Sequence, residues 1–337
     1  MNFSKYKNRK YFKNNSKGTR RKYMMILKQT IEIFELLDKP NANGIEVAEY
    51  IKSHGNKNVI VNVKTVEGKE GSTDFIKILI KGKNGKSNNG TAKTLGIIGR
   101  LGGLGARPEM TGFVSDGDGA LTALSAGLKL VDMNAKGDVL EGDVIVATHI
   151  CPNAPTLKHF PVNFMDSPVD METMNKLEVS EEMDAILTID TTKGNEIINH
   201  RGFAISPTVK EGYILKISND LVNVMKRVTG KLPVVFPLSQ QDITPYGNGL
   251  YHLNSILQPA TTTKSPVVGV AITTETSVAG CATGSTQVVD VETTGRFAVE
   301  VAKDYGNGKC SFYDEKEFEL LLKLYGENSK FQTKGNN

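Results

Sequence analysis

The sequence predicts a three-layer α/β/α fold built on a mostly parallel mixed sheet. Two observations carry this. Short apolar segments alternate with helix-patterned ones along most of the 337 residues. The apolar segments are continuous runs, such as Val144 to Ala147 and Val267 to Ile272, rather than alternations of apolar and polar residues. Continuous runs mark strands buried on both faces, as in parallel sheets covered by helices.

Each element follows from local pattern. Ile26, Ile31, Phe34 and Leu37 recur at helical spacing and predict a helix over 25–38. Pro40-Asn41-Ala42-Asn43-Gly44 ends it, and a second helix is expected over 45–54, closing at Gly55. Val59–Val63 and Phe75–Ile80 read as strands, and 82–93 as a polar Gly/Asn-rich surface loop. Strands are then expected at Leu95–Gly99, Asp143–Thr148, Ala185–Ile189, Val234–Phe236 and Val267–Ile272. Helices are expected at Gly119–Met133, Asp220–Thr229, Leu250–Leu257, Glu292–Lys303 and Phe318–Tyr325. The chain divides into a disordered basic tail (1–24), a single α/β domain (25–330) and a short disordered tail (331–337).

Composition narrows the function classes. The net charge is +4, but residues 1–24 hold nine Lys or Arg and no acid, so subtracting the tail leaves −5 for the rest. An acidic body without a basic stripe or aromatic platform argues against a nucleic-acid partner. No apolar run approaches the roughly 18 residues of a membrane helix, and the first residues lack the apolar core of a secretory signal. Three cysteines without framework spacing fit a reducing compartment, so a cytoplasmic location is expected.

In an open parallel sheet, ligands bind beyond the carboxyl ends of the strands. The polar residues there are Arg100, His149 with Cys151, Asp190, Asp242 and the stretch 280–285, with Asp116 and Asp118 entering the 119–133 helix. The Gly-rich exit Gly99-Arg100-Leu101-Gly102-Gly103-Leu104-Gly105 lacks the Gly-Lys-Ser/Thr of a P-loop and reads as a tight packed turn. Asp116 and Asp118 suit helix capping or metal ligation. The SDGDG start is not an EF-hand, because the twelfth loop position is Gly127. His149 and Cys151, two apart on a strand, share a face and suit a metal pair, an activated thiolate or simple burial.

Laid end to end, these segments resemble the co-catalytic zinc aminopeptidases and amidohydrolases, the superfamily of aminoacylases, desuccinylases and glutamyl aminopeptidases. TLGIIGRLGG is similar to their strand ending in Gly-His-x-Asp, SDGDGALTALSAGLKL to their Asp-Asp-Lys-Gly-Gly helix, and GDVIVATHI to the strand leading to their Glu-Glu pair. MDAILTIDTTKGNEIINHRGFA is similar to the segment bearing their next acidic ligand. Only Asp116, at the bridging position, and Asp190 carry over. The first ligand His falls on Arg100, its Asp on Gly102, the Glu-Glu pair near Pro152-Asn153 and the last His near Thr283. There is no room for the inserted lid or dimerisation domain of those enzymes. The wording HICPNAPT, INHRGFAISPTVKEGYIL and PYGNGLYHLNSILQPAT resembles the bacterial domain-of-unknown-function family 1177.

The resemblance implies a hydrolase-like protein acting on or binding a small peptide or acylated amino acid. Catalytic roles are expected of Asp118, Cys151 and Arg100. Substrate contacts are expected from Arg100, Asn153 and Asp242. A rebuilt site for one zinc ion is expected from Asp116, His149, Cys151 and Asp190, with self-association as a further expectation. Two competing readings stand beside it: a metal-free small-ligand-binding or regulatory protein on a decayed peptidase fold, and thiol chemistry with Cys151 activated by His149.

Overall fold

A computed structural model describes residues 25–158, 163–194, 196–253, 255–278 and 284–336. The expected basic tail, Thr283 and most of the 280–285 stretch lie outside the described residues. Ten strands are found among them: β1 (Val59–Gly68), β2 (Gly71–Ile80), β3 (Leu95–Gly99), β4 (Val144–Ile150), β5 (Thr156–Leu157), β6 (Phe164–Met165), β7 (Ala185–Thr191), β8 (Gly202–Lys210), β9 (Tyr213–Ile214) and β10 (Val267–Thr273). Seven helices accompany them: α1 (Leu27–Leu37), α2 (Gly44–His54), α3 (Asp118–Ala135), α4 (Met171–Glu178), α5 (Asn219–Thr229), α6 (Val288–Gly306) and α7 (Glu315–Tyr325).

Eight strands form one mixed sheet in the order β1-β2-β4-β3-β7-β10-β8-β9, and β5 pairs with β6 apart from it. The four central strands β4, β3, β7 and β10 are mutually parallel. An antiparallel pair flanks them on each side. The central strands are almost wholly buried, which is why they read as unbroken apolar runs. Successive residues serve opposite layers: Ile97, Val146 and Leu187 face one core, and Ile98, Ile145 and Ile186 the other. The first core is roofed by α1, α2, α3, α5 and α6. The second is covered by α4 and irregular chain carrying Phe236, Ile243, Ile256 and Leu257. The three-layer mixed-sheet reading therefore holds, with one layer helical and the other largely irregular.

Local chemistry sets the helix limits. Asn43, Asp170, Ser218 and Asp314 accept first-turn N–H groups of α2, α4, α5 and α7. The start of α1 is tied instead to α6, through the Ile26 N–H donated to Glu292 Oε1 at 3.2 Å. The 82–93 loop is organised on the buried Asp143 carboxylate, which accepts Gly82 N–H and the N–H and hydroxyl of Ser87, each at 2.8 Å.

Two expected elements fail. Leu250–Leu257 is not a helix. The left-handed Gly247 and Gly249 turn the chain just before it, and Leu253 N–H donates to Asp242 Oδ1 rather than to a helical carbonyl. Val234–Phe236 makes only a single bridge to Ile205. Among the described residues, no helix is long and apolar enough to cross a membrane.

Candidate functional site

The order of the sheet sets where a site belongs. β3 has β4 on one side and β7 on the other, so the chain leaves in opposite directions from these strands and opens a switch point at their carboxyl ends. Glycines let the segments converge there. A Cβ at Gly119 would lie 1.9 Å from Arg100 O, and one at Gly102 would lie 1.7 Å from His149 O. The glycines after β3 therefore serve close backbone packing, and α3 starts directly against the exits of β3 and β7.

The polar residues at this edge fall into two groups. The first is a buried ion network. Arg100 Nη1 donates to Glu178 Oε2 at 2.5 Å, and His149 Nδ1 lies 2.7 Å from Glu178 Oε1. His149 Nε2 accepts the Gly102 N–H at 3.1 Å, so in the neutral ring the proton sits on Nδ1 and is donated to Glu178. Burial pushes the Glu178 carboxyl up, but Arg100 and His149 together hold it below its ordinary value. Arg100 and Glu178 are fully buried, so this guanidinium is committed to an internal partner rather than to a ligand's carboxylate.

The second group is acidic. Asp116 sits in a 3-10 turn, Ser115–Gly117, and Asp118 opens α3. Neither caps the helix, whose first turn has no side-chain cap. Asp118 Oδ2 is instead paired with Lys193 Nζ at 2.5 Å, both side chains fully buried, which ties α3 to the segment after β7. Burial pushes the Asp118 carboxyl up, against the pull of Lys193. Asp116 is half-buried, and burial with the charge of Asp118 raises it to about 7. Asp190, at the end of β7, accepts Thr191 N–H at 2.7 Å and the Ser255 hydroxyl at 2.9 Å. Burial lifts it to about 7 as well, with the charge of Asp116 adding to the rise. Tyr246 borders this group: burial and then the charges of Asp190 and Asp242 push its hydroxyl far up, and its ring stacks on His252 at 4.2 Å.

The four residues expected to hold zinc are not brought together. No group of three or more His, Cys, Asp or Glu suited to a metal ion occurs among the described residues. Both nitrogens of His149 already have protein partners. The Cys151 thiol is buried beside Ala106, Val114, Ala154 and Met165, and burial pushes it up to about 11. It also lies 3.7 Å from Ser72 O, so neither zinc ligation nor a His149-activated thiolate fits its surroundings. The donor set therefore does not fit the metal that the resemblance implies.

Asp242 is also structural. Its fully buried carboxylate accepts Ser239 N–H and hydroxyl on one oxygen and Leu253 N–H on the other. Asn153 is exposed, and its backbone bridges to Ala106. Asp116, Asp118 and Asp190 are thus the predicted residues that the fold gathers. Sequence reasoning missed Glu178 and Lys193, the ionic partners of Arg100 and Asp118. A charged residue inside an apolar strand exit signals that a partner must exist. It does not reveal which of 37 acids or 41 bases supplies it.

No curated protein matches this chain. A family model does, over residues 64–335, beginning within β1 and ending after α7. The chain belongs to the family described as protein of unknown function (DUF1177).

Proposed function

We propose that the protein is hydrolase-like, acting on an amide bond of a small peptide or acylated amino acid, with Asp116 and Asp190 as a metal-independent acid–base pair. One observation carries this reading: two carboxyls at the switch point of the sheet are both held near pH 7. Near neutrality such a pair offers one protonated and one ionised group, the division of labour that amide hydrolysis needs. The ionised carboxylate takes a proton from water as its oxygen bonds to the amide carbon. The protonated carboxyl gives its proton to the departing nitrogen as the C–N bond breaks. Lys193 and Asp118 hold the start of α3 against the segment after β7, which fixes Asp116 relative to Asp190.

The layout similar to zinc peptidases supports the substrate class, and the altered ligand set supports a mechanism that does not use the paired metals. The test is a panel of N-acyl amino acids and dipeptides assayed with wild type, Asp116→Asn and Asp190→Asn. Turnover by wild type, lost by about 10²–10⁴-fold in each variant at unchanged fold, is the expected result. Turnover retained in either variant removes the acid–base pair.

A second reading is ligand binding without turnover. It is favoured by the commitment of Arg100 and Asp118 to buried ion pairs and of His149 to a buried hydrogen bond with Glu178, a structural use of groups that an enzyme would expose to substrate. Saturable binding of the same compounds without product is the result that would select it.

A further inference from the structure

An acid and a base leave one task of amide hydrolysis unassigned, a donor for the carbonyl oxygen as it takes up negative charge. The side-chain donors at this edge of the sheet are largely committed. Arg100 serves Glu178, Lys193 serves Asp118 and Ser285 O, and the Ser255 hydroxyl serves Asp190. Tyr246 differs. Its hydroxyl makes no hydrogen bond among the described residues, and its side chain is half-buried. Unlike the unpartnered hydroxyls of Thr191 and Thr192, the two residues after Asp190, it is not sealed from solvent. The loop that carries it is fastened on several sides. Tyr246 N–H donates to Gln258 Oε1 at 3.1 Å, and the fully buried Gln258 donates back to Thr244 O at 2.9 Å. Asp242 closes the loop between Ser239 and Leu253, and Ser255 ties it to Asp190 Oδ2 at 2.9 Å. The Tyr246 ring is braced by His252, stacked at 4.2 Å and 20°.

We propose that the Tyr246 hydroxyl is the oxyanion donor of this site, hydrogen-bonded to the carbonyl oxygen of the amide under attack. The inference rests on the acid–base reading of Asp116 and Asp190 and adds the third group that reading lacks. As the water oxygen bonds to the amide carbon, the C=O electron pair moves onto the carbonyl oxygen, where the phenol donates to it. The pair returns to the C=O bond as the C–N bond breaks, and Tyr246 keeps its proton throughout. Two features suit the phenol to this task. Burial, then the charges of Asp190 and Asp242, push its hydroxyl far up, so it is a protonated donor across the neutral range. The same electrostatic contact places it within reach of Asp190, which in turn feels Asp116. A donor fixed by its own loop before substrate arrives needs no reorganisation when the charge develops, which is why such groups act on the transition state more than on the ground state.

The test compares the full chain with Tyr246→Phe, which keeps the ring and its stack on His252 and removes only the hydroxyl. Turnover is followed on the panel of N-acyl amino acids and dipeptides. Binding is followed by calorimetry with the phosphinic analogue of L-alanyl-L-alanine, whose tetrahedral phosphorus stands in for the attacked carbon. The variant should melt with wild type, lose about 10²–10³-fold in kcat and shift KM by less than about twofold. Its affinity for the analogue should fall at least tenfold, a readout that does not depend on turnover. The proposal is overturned if the variant keeps the wild-type kcat, if it raises KM alone, if it binds the analogue as tightly as wild type, or if wild type neither turns over the panel nor binds the analogue. The two readings fail separately. Turnover lost in Asp116→Asn and Asp190→Asn but kept in Tyr246→Phe removes the oxyanion donor alone. Turnover kept in either Asp variant but lost in Tyr246→Phe removes the acid–base pair alone.

Discussion

Replacing Asp190 with asparagine should flatten the pH dependence of stability. The Asp190 carboxyl moves from an ordinary 3.8 to about 7 in the fold, chiefly through burial. A group with a raised native value holds its proton more tightly folded than unfolded. Its contribution is therefore fully present below about pH 4 and is lost as pH rises through about 7. Over the interval where only the native carboxyl is protonated, stability falls by about 1.4 kcal/mol per pH unit. Between pH 5 and pH 8 the loss from this one residue is then about 2–3 kcal/mol, because the slope flattens above the native value. The substituted amide cannot ionise, yet it keeps an acceptor for one of the two donors, Thr191 N–H and the Ser255 hydroxyl. Urea unfolding at pH 5, 6.5 and 8 reads the difference directly. Equal pH slopes in wild type and Asp190→Asn would refute the assignment of a buried, proton-retaining carboxyl. Asp116→Asn should remove a share of its own, since that carboxyl is likewise raised to about 7, and should leave the Asp190 part of the slope in place at a somewhat smaller rise.

Other outcomes follow from the ion pairs and the packing. Glu178→Ala leaves the buried Arg100 uncompensated and should cost about 3–5 kcal/mol, whereas Arg100→Met with Glu178→Leu should cost far less by urea unfolding. A double-variant loss equal to the sum of the Arg100→Met and Glu178→Leu losses measured singly would show the pair to be uncoupled. Cys151 and Cys310, buried with thiols raised to about 11 and about 12, should resist iodoacetamide at pH 8 in the native protein, read by peptide mass mapping. Rapid alkylation of Cys151 there would restore the thiolate reading. Gly119→Ala should abolish folding or lower the thermal midpoint sharply, because its Cβ would lie 1.9 Å from the Arg100 carbonyl.

The central strands were readable because burial on both faces writes itself as a continuous apolar run: the Leu95–Gly99 strand appears with the expected limits. The α4 segment was not, because its eight residues carry few apolar positions and the helix depends on the Asp170 cap and on packing against β2 and β4. The segment 250–257 misled through its apolar content, which serves the second core from irregular chain: Ile256 and Leu257 are fully buried without a helix. At the site, Asp116, Asp118 and Asp190 could be placed because each adjoins an element boundary at the correct sheet edge. Their partners could not. Lys193 lies 75 positions from Asp118, and Glu178 lies 78 from Arg100, so these pairings exist only once the chain has closed on itself. His149 and Cys151 share a strand as the period-two rule requires, but the rule says nothing of what faces them: a carboxylate and a backbone N–H for one, apolar packing for the other.

The most direct measurement of the central claim is a carboxyl titration followed by NMR of protein labelled with ¹³C at aspartate Cγ, with Asp116→Asn and Asp190→Asn used to assign the two resonances. The account predicts that both carboxyls titrate with midpoints near 7. Midpoints near 3.8, the ordinary value, would leave both groups ionised at neutral pH and would contradict the acid–base pair.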